Sequence, residues 1–316
     1  TRLQVEHPVT ELVTGIDLVE QMIRVAAGER LKIRQDDVRL DGWAIESRVY
    51  AEHPFRNFLP STGRLTAYHP PEEGTDMGLT IRNDTGVTEG SEISLYYDPM
   101  IAKLITHAST REAAIDHMVR ALDEFYIDGI QHNIPFLSAI MMHPRWRKGA
   151  LSTGFIAEEY PDGFAPREPT EEECVTLAVV AAAIDSLSNQ RRRQITQQMD
   201  GGVFKFSEKR HVVLGAKRKQ VIVSGGPTDG IEIALLDNRG KEAQRLTVVS
   251  QWWFGDPIWR GKIDGVRVEV QVRPILNGYD LFRRGVSFAA YVYTDREAAL
   301  AELMPAKEPP DTSRQL

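Results

Sequence analysis

The sequence lacks paired cysteines, long apolar runs and an excess of positive charge, and each absence argues against one class of protein. It has one cysteine, Cys174, among 316 residues, so no disulfide can form within the chain and the disulfide-rich secreted class is excluded. No apolar run approaches the roughly 20 residues of a membrane-spanning helix, since Asp185 and Ser186 interrupt the longest candidate. The formal net charge is -7, which argues against a broad nucleic-acid-binding surface. We therefore expect a protein of a reducing compartment with neither nucleic-acid nor membrane partners.

The composition is that of a globular protein long enough for two domains. Hydrophobic residues make up 42% and charged residues 26% of the chain, and the length corresponds to about two domains of ordinary size. Proline and glycine are concentrated between Tyr160 and Pro169, which predicts a boundary there. The predicted domains are residues 1–164 and 165–303, followed by a linker-like segment at residues 304–316.

The first residues carry the most informative pattern of the sequence. Arg2, Gln4 and Glu6 alternate with Leu3 and Val5, which predicts a strand that projects a cation, an amide and a carboxylate to one face. Arginine offers a planar fork of donors, glutamine a neutral donor, and glutamate can accept a proton. The trio would suit a small anion such as bicarbonate. A solvated strand face gives the same pattern and is the more frequent case.

A second polar pair lies on a predicted strand at residues 42–52. Glu46 and Arg48 are two positions apart and therefore share one face of that strand. From these residues alone, a structural ion pair is the favoured interpretation.

Helices and strands occur in separate runs through the first half. Asp17 and Glu20 form a capping pattern before a short helix, Ser109 and Glu112 form another, and a further helix is predicted from Pro135 to Met142. This layout predicts an α+β domain in which helices cover one face of a sheet.

The second half begins with a long apolar helix. Thr170 and Glu173 form a capping box, and the Arg191-Arg192-Arg193 cluster near the far end complements the helix dipole. The predicted helix runs from Thr170 to Met199, about 45 Å. Almost no polar face remains from Val175 to Leu187, which indicates burial on all sides.

Eight short alternating runs follow the helix, separated by turn signals such as Asn277-Gly278. The runs are Val203–Phe206, His211–Leu214, Gln220–Ser224, Ile231–Leu236, Arg245–Ser250, Val266–Val272, Tyr279–Phe282 and Val286–Tyr293. They predict an antiparallel barrel wrapped around the helix. The aromatic cluster Trp252-Trp253-Phe254 is predicted to lie at an interface.

Three stretches of the first half resemble motifs of the biotin carboxylases, a family of ATP-grasp enzymes. Residues 2–11 are similar to the motif that follows a metal-binding Glu-x-Asn in that family. Residues 46–52 are similar to Glu-x-Arg-x-x-Ala-Glu, and residues 96–103 to Tyr-Tyr-Asp-x-Met-x-x-Lys. The resemblance extends to about Glu159, and Lys103 is interpreted as a structural or supporting residue.

This resemblance implies a role for each polar group of the first two motifs. It implies that Arg2, Gln4 and the backbone of Val5 bind bicarbonate, and that Glu6 removes the bicarbonate proton before attack on the γ-phosphate of ATP. It further implies that Arg48 binds biotin and stabilises negative charge on the ureido oxygen. No metal ligand is assigned in this chain.

A helix-filled barrel after a biotin carboxylase domain resembles the region of acyl-CoA carboxylase α subunits that docks the carboxyltransferase β subunit. Residues 160–164, Tyr-Pro-Asp-Gly-Phe, are most similar to propionyl-CoA carboxylases, with methylcrotonyl-CoA and acetyl-CoA carboxylases as alternatives. The implied fold is a C-terminal biotin carboxylase subdomain of the α+β class followed by an antiparallel β-barrel around a long central helix.

The implied activity is ATP- and bicarbonate-dependent carboxylation of biotin for transfer to propionyl-CoA. The implied cofactors are biotin, ATP and magnesium or manganese. The Glu-x-Asn, the nucleotide lid and the biotin-bearing Ala-Met-Lys-Met motif are not among these 316 residues, so we expect the chain alone to be inactive and to act with the rest of an α subunit, including a biotin-carrier domain. The alternative is an assembly fragment that only docks the β subunit. The expected compartment is the cytoplasm for a bacterial protein, which is favoured, or the mitochondrial matrix for a eukaryotic one.

Overall fold

A computed structural model describes residues 2–195, 207–226 and 230–305. The chain separates into two compact units. One consists of Thr1–Pro169, Glu269–Gln271 and Phe282–Ser287, and the other of Thr170–Val268, Val272–Leu281 and Phe288–Leu316.

The first unit combines short strands with six helices among the described residues up to Pro169. In chain order the elements are α1 His7–Thr14, α2 Leu18–Ala26, β1 Trp43–Tyr50, β2 Glu52–His53, β3 Leu59–Pro60, β4 Gly63–Arg64, β5 Ala67–His69, β6 Gly74–Asp76, β7 Leu79–Thr85, β8 Glu92–Ile93, β9 Met100–Ala108, α3 Arg111–Glu124, β10 Tyr126–Asp128, α4 Ile134–Met142, α5 Pro144–Lys148 and α6 Phe155–Glu159. Single 3₁₀ turns lie at Gln35–Asp37 and Pro54–Arg56. The largest sheet has the order β1-β9-β7-β6 and is antiparallel throughout.

This sheet carries a different helix on each face. Leu104 of β9 is fully buried with Met118 and Leu122 of α3, and Thr106 Oγ1 donates a hydrogen bond of 2.9 Å to the Ala114 carbonyl. Helix α1 packs against β1 and β9 and is held there by charged side chains, described below. The sheet therefore has an apolar face toward α3 and a polar face toward α1. The unit mixes helices and strands as predicted, but helices lie on both faces of this sheet, whereas the sequence predicted that they would cover one; the apolar pattern did not reveal the second face because charged side chains hold α1 there.

The opening segment is not the strand that its alternating pattern predicted. Residues 2–4 have no regular structure, Val5 and Glu6 form a turn, and α1 begins at His7. Pro8 explains the difference, because proline is favoured in the first turn of a helix, where its missing N–H costs no hydrogen bond. Gly15 ends the helix in the left-handed conformation, with φ of 69°.

Other local predictions in this unit agree closely with the structure. The Asp17 side chain accepts a hydrogen bond from the Glu20 backbone N–H at the start of α2. The predicted strand at residues 42–52 is observed as β1. Helix α3 is capped by Thr110 instead of Ser109, since the Thr110 side chain accepts from the Ala113 N–H.

The C-terminal half consists of one long helix, eight strands and a short final helix within its described part. They are α7 Glu171–Gln194, β11 Lys209–Leu214, β12 Lys217–Gly226, β13 Gly230–Leu236, β14 Glu242–Ser250, β15 Ile258–Ile263, β16 Val266–Ile275, β17 Gly278–Arg283, β18 Val286–Tyr293 and α8 Asp295–Ala301. Strands β11 to β18 form a closed barrel in sequence order. The ladder closes between β11 and β18, which pair in antiparallel fashion.

Helix α7 begins at the predicted capping box and ends earlier than predicted. The Thr170 side chain accepts from the Glu173 N–H, and the Glu173 carboxylate accepts from the Thr170 N–H. The helix ends at Gln194, and Ile195 is extended, so its 24 residues span about 36 Å. Eight consecutive residues, Leu177 to Ile184, are no more than 1% exposed, as the apolar pattern predicted.

One barrel strand was not predicted, and one predicted strand lies outside the described residues. The missed strand is β15, whose Gly261 interrupts the alternation. A Cβ at Gly261 would come within 2.5 Å of the Trp259 ring and 2.8 Å of the Val249 carbonyl oxygen. The glycine is therefore required by close packing and does not mark a turn. The predicted run at residues 203–206 falls in the part of the chain that is not described.

Candidate active site

A cleft on the first unit brings the opening polar residues together. It has a volume of about 600 Å³ and is bordered by residues of the opening segment, α1 and α2. Arg2, Gln4 and Glu6 all line it, and all three are exposed. They share this cleft through a turn that leads into a helix, whereas the sequence predicted that they would share the face of a strand.

Arg48 reaches this segment from β1 and contacts Glu6. Its Nη2 atom lies 3.3 Å from Glu6 Oε2, and its Nε donates to Glu46 Oε1 at 3.0 Å. Burial alone would lower the pKa of Arg48, but its hydrogen bond to Glu46 and the charge of Glu46 outweigh this effect, so the pKa lies above the ordinary value. The Glu46 side chain is only 7% exposed, against 40% for Arg48 and 55% for Glu6. The guanidinium is thus anchored by a buried carboxylate and contacts a second carboxylate, Glu6, that lines the cleft.

Lys103 of β9 contacts the opening segment from the polar face of the sheet. Its ammonium lies 3.4 Å from the Val5 carbonyl oxygen, 3.3 Å from Nε2 of His7 and 3.0 Å from a carboxylate oxygen of Asp84. Its side chain is 12% exposed. An ammonium has three N–H donors, and this one has three polar neighbours, two from the start of the chain and one from β7.

The contacts of Lys103 form part of a closed ring of polar side chains. His7 Nδ1 lies 3.3 Å from Glu11 Oε1, and Arg82 donates to Glu11 Oε2 at 2.7 Å. Arg82 also binds Asp84 through Nε at 2.7 Å and Nη2 at 3.1 Å, and Asp84 returns to Lys103. We call these five residues, Lys103, His7, Glu11, Arg82 and Asp84, the polar ring.

The two carboxylates of the polar ring favour their charged forms. Burial would raise the pKa of Glu11, but hydrogen bonds from Arg82, the Leu18 backbone and His7 bring the pKa below its usual value. Burial likewise opposes ionisation of Asp84, and its bonds to Arg82 and Lys103 lower the pKa in spite of it. The ring therefore joins α1, the start of α2, β7 and β9 through ionised groups.

The structure thus brings together all five residues predicted to form the site, in two contacts and one cleft. Arg2, Gln4 and Glu6 line the cleft, Arg48 meets Glu6, and Val5 lies over Lys103. Their chemical roles stay predictions. Sequence reasoning missed Arg82 and Asp84, although their spacing of two on one strand face was a usable signal.

Comparisons with known families find two different domain families, one in each half of the chain. A model of the biotin carboxylase C-terminal domain matches residues 46–158, and a model of the propionyl-coenzyme A carboxylase BT domain matches residues 177–307. The chain therefore contains a region of the biotin carboxylase C-terminal family followed by a region of the BT family. Residues 1–34 match the ATP binding domain of the carbamoyl-phosphate synthase L chain.

Proteins similar to this biotin carboxylase and BT pair include several carboxylase α chains. The propionyl-CoA carboxylase alpha chain of Ruegeria pomeroyi is 47% identical, over 100% of this chain and 48% of the relative. The human mitochondrial propionyl-CoA carboxylase alpha chain is 40% identical over 82% of this chain and 34% of its own length. The alpha subunit of methylcrotonoyl-CoA carboxylase of Dictyostelium discoideum is 36% identical over 71% and 32%. The chain therefore spans half or less of the length of these relatives.

A solved structure also resembles part of this chain. It is the biotin carboxylase domain of 2-oxoglutarate carboxylase from Hydrogenobacter thermophilus, with a TM-score of 0.48 and 43% identity over 53% of this chain and 36% of that chain.

Two further properties bear on what the biotin carboxylase and BT domains can bind. Within residues 2–195, 207–226 and 230–305, no three His, Cys, Asp or Glu side chains are grouped as metal ligands would be. In that same part of the chain, no helix has the length and apolarity needed to cross a membrane.

Proposed function

We propose that this chain is part of the α chain of a biotin-dependent carboxylase and contributes to ATP- and bicarbonate-dependent carboxylation of biotin. The proposed acceptor of the carboxyl group is propionyl-CoA, giving methylmalonyl-CoA. Similarity of the whole of this chain to about half of a propionyl-CoA carboxylase alpha chain supports this substrate. The α subunit of a methylcrotonyl-CoA or acetyl-CoA carboxylase is the alternative.

The contact between Arg48 and Glu6 carries the catalytic part of the proposal. These residues belong to separate motifs 42 positions apart, and their side chains meet at 3.3 Å on the edge of the cleft. An ion pair that is partly exposed is weak, so its guanidinium and carboxylate can separate and bind substrate groups at a small cost in free energy.

Each polar group then has a definite part in the chemistry. Arg2 and Gln4 donate hydrogen bonds to bicarbonate from the cleft wall, and the Val5 backbone completes the anion site. Glu6 takes the bicarbonate proton, since a carboxylate within hydrogen-bond reach can act as a general base. Arg48 donates to the ureido oxygen of biotin and stabilises the negative charge that develops there.

The cofactors differ in how well these residues fit them. Biotin supplies a ureido group that is carboxylated, and the partly exposed Arg48 fits its oxygen. The described residues contain no grouped metal ligands, so no step is assigned to magnesium or manganese here. ATP and its metal are proposed to be bound mainly by residues outside this chain.

Two substitutions in the complete α chain test the catalytic proposal. Glu6→Gln and Arg48→Gln should each lower bicarbonate-dependent biotin carboxylation by about 100-fold or more, the usual effect of removing a group that acts in the transition state. Arg239→Gln, at an exposed turn of the barrel, is the matched control and should leave the rate unchanged. Normal rates in both site variants would exclude these roles. Turnover by the isolated 316-residue chain would contradict its proposed inactivity.

We further propose that the barrel docks a carboxyltransferase β subunit. The match of residues 177–307 to a BT domain supports this, as does the aromatic cluster between β14 and β15, in which Trp252 is buried, Phe254 is half-buried and Trp253 is exposed. Trp253 is 55% exposed, and its ring packs at 5.4 Å from Phe254, which Arg191 covers at 5.1 Å. Exposed aromatic and arginine side chains are the usual anchors of protein interfaces.

The assembly role can be separated from catalysis by one pair of variants. Trp253→Ser should weaken β-subunit capture by at least about tenfold, while Arg48→Gln should leave capture intact. If the assembly fragment is the correct alternative, Arg48→Gln in the complete α chain will also retain full carboxylation activity.

The arrangement of the barrel and the cellular compartment are also proposals. We propose that α7 runs through the barrel as its central element. It packs against β11, β12 and β13, and its Ala183 and Leu187 border one small cavity with Ile231, Val248 and Trp259. The cytoplasm is the proposed compartment for a bacterial protein. Similar chains include a bacterial one and several named as mitochondrial.

A further inference from the structure

Lys103 has a position that ion pairing alone does not explain. It is 12% exposed on a sheet strand, where a lysine loses most of its hydration. Asp84 does not need it as a counter-ion, because Arg82 already binds both oxygens of Asp84. The distinctive contact of Lys103 is with the backbone carbonyl of Val5, 98 residues away in sequence.

The Val5 carbonyl lies in the turn that presents the anion-binding groups. The flanking carbonyls are held by backbone hydrogen bonds, since the His7 N–H donates to Gln4 at 3.2 Å and the Val9 N–H donates to Glu6 at 3.1 Å. Lys103 donates to the carbonyl between them. The peptide plane that joins Val5 to Glu6 is therefore fixed by a side chain from the sheet.

We propose that Lys103, braced by the polar ring, is a positioning residue for the bicarbonate site. It holds the Val5 carbonyl toward the sheet, so that the donors of the opening turn and the Glu6 carboxylate face the cleft. This inference rests on the proposed function and names the residue that sets the geometry of the anion site.

The polar ring explains how Lys103 keeps this orientation. His7 Nε2 can accept from Lys103 only when Nδ1 carries the proton, and Nδ1 faces Glu11 at 3.3 Å. Glu11 is in turn fixed by the Leu18 backbone N–H at 2.8 Å and by Arg82 at 2.7 Å. Besides Val5, the ammonium thus meets two acceptors, His7 and Asp84, which have further contacts of their own with Glu11 and Arg82. These contacts restrict its movement away from Val5.

Substitution of Lys103 should alter bicarbonate affinity selectively. In the complete α chain, Lys103→Met retains the apolar stem but removes the three donors. We expect the KM for bicarbonate to rise by about 10-fold to 100-fold, the loss that follows removal of a charge-assisted hydrogen bond. The KM for ATP and the kcat at saturating bicarbonate should change by less than about threefold. Lys148→Met, at an exposed position at the end of α5, is the matched control and should leave all three constants unchanged.

Three measurements decide between positioning and a structural role. The proposal would be overturned if kcat fell and both KM values rose to the same extent. An unchanged KM for bicarbonate would also overturn it. If Lys103→Met does not fold, Lys103→Arg takes its place, because it keeps the charge that pairs with Asp84 but has planar donors that do not match the three acceptors. It should raise the KM for bicarbonate alone, and wild-type constants in this variant would overturn the proposal.

The same assay distinguishes failure of this inference from failure of the proposed function. A wild-type α chain without bicarbonate-dependent ATP cleavage would disprove the function itself. An active wild-type chain whose Lys103 variants bind bicarbonate normally would disprove only the positioning role.

Discussion

Asp123 should make the stability of the first unit fall as the pH rises. This α3 residue is 2% exposed, and its Oδ1 accepts the backbone N–H of Arg284 at 2.6 Å. Burial raises its pKa from 3.8 to about 7, against the opposing effects of the Arg284 N–H and of the charges of Arg283 and Arg284, and Glu269 adds to the increase. The folded protein therefore holds a proton that the unfolded chain releases near pH 4.

The size of this effect follows from the two pKa values. Between pH 4 and pH 7 the folded state binds more protons than the unfolded state, so the free energy of unfolding decreases with increasing pH. At about 1.4 kcal/mol for each pH unit, a pKa of about 7 instead of 3.8 corresponds to about 4 kcal/mol lost by pH 8. The Asp123→Asn variant keeps the acceptor oxygen but cannot ionise, so it should not lose this stability.

Urea unfolding of the two proteins at pH 5, 6, 7 and 8 measures the effect. The stability of Asp123→Asn relative to wild type should increase by about 1.4 kcal/mol per pH unit up to pH 7 and then level off. Asp116→Asn, on the same helix but exposed and paired with Arg147 at 2.7 Å, is the control and should show almost no trend. Parallel stability curves for wild type and Asp123→Asn would refute the reasoning.

Three substitutions in the C-terminal half test its packing by thermal and chemical unfolding. Gly261→Ala should destabilise the protein by about 1–3 kcal/mol, because the added methyl would overlap the Trp259 ring; unchanged stability would contradict the close packing of β15. Arg210→Met should lower the free energy of unfolding by about 3 kcal/mol, because it leaves Asp185, which lies 2.8 Å from Arg210 Nε, without this cation. The further change Asp185→Asn should restore part of the lost stability. Additive effects of these two changes would exclude their coupling. Thr170→Ala should cost about 1 kcal/mol through loss of the α7 cap, and a neutral result would show that the cap is dispensable.

The fold was predictable where one physical signal dominated. Helix α7 was found from its capping box and its continuous apolar middle, which require a buried helix beginning at Thr170. The opening segment was predicted wrongly because an alternation of period two outweighed Pro8, whose preference for a first helical turn decided the conformation. Strand β15 was not predicted, because Gly261 interrupts its apolar alternation; the glycine accommodates a tryptophan ring from the same strand.

The residues that line or contact the candidate site could be predicted from the sequence, but the polar ring that supports them could not. The polar groups of the opening segment and Arg48 could be identified from their motifs, although no sequence pattern says that Glu6 and Arg48 lie 3.3 Å apart. The spacing of Arg82 and Asp84 could have placed these two residues on one strand face. The complete polar ring could not be predicted, because its other members come from a helix and a strand that lie far from β7 in the sequence. Such contacts depend on strand register, which pairs Asp84 with Lys103 across β7 and β9.

The closure of the barrel restricts how another protein can recognise it. Each of the eight described strands, β11 to β18, already has a neighbour on both sides, so no open backbone edge is present there for an incoming strand. Recognition must use side chains on the outer wall or on the loops at the ends. The barrel can therefore change its specificity for a partner through substitutions of a few loop residues, while its hydrogen-bonded strands stay the same.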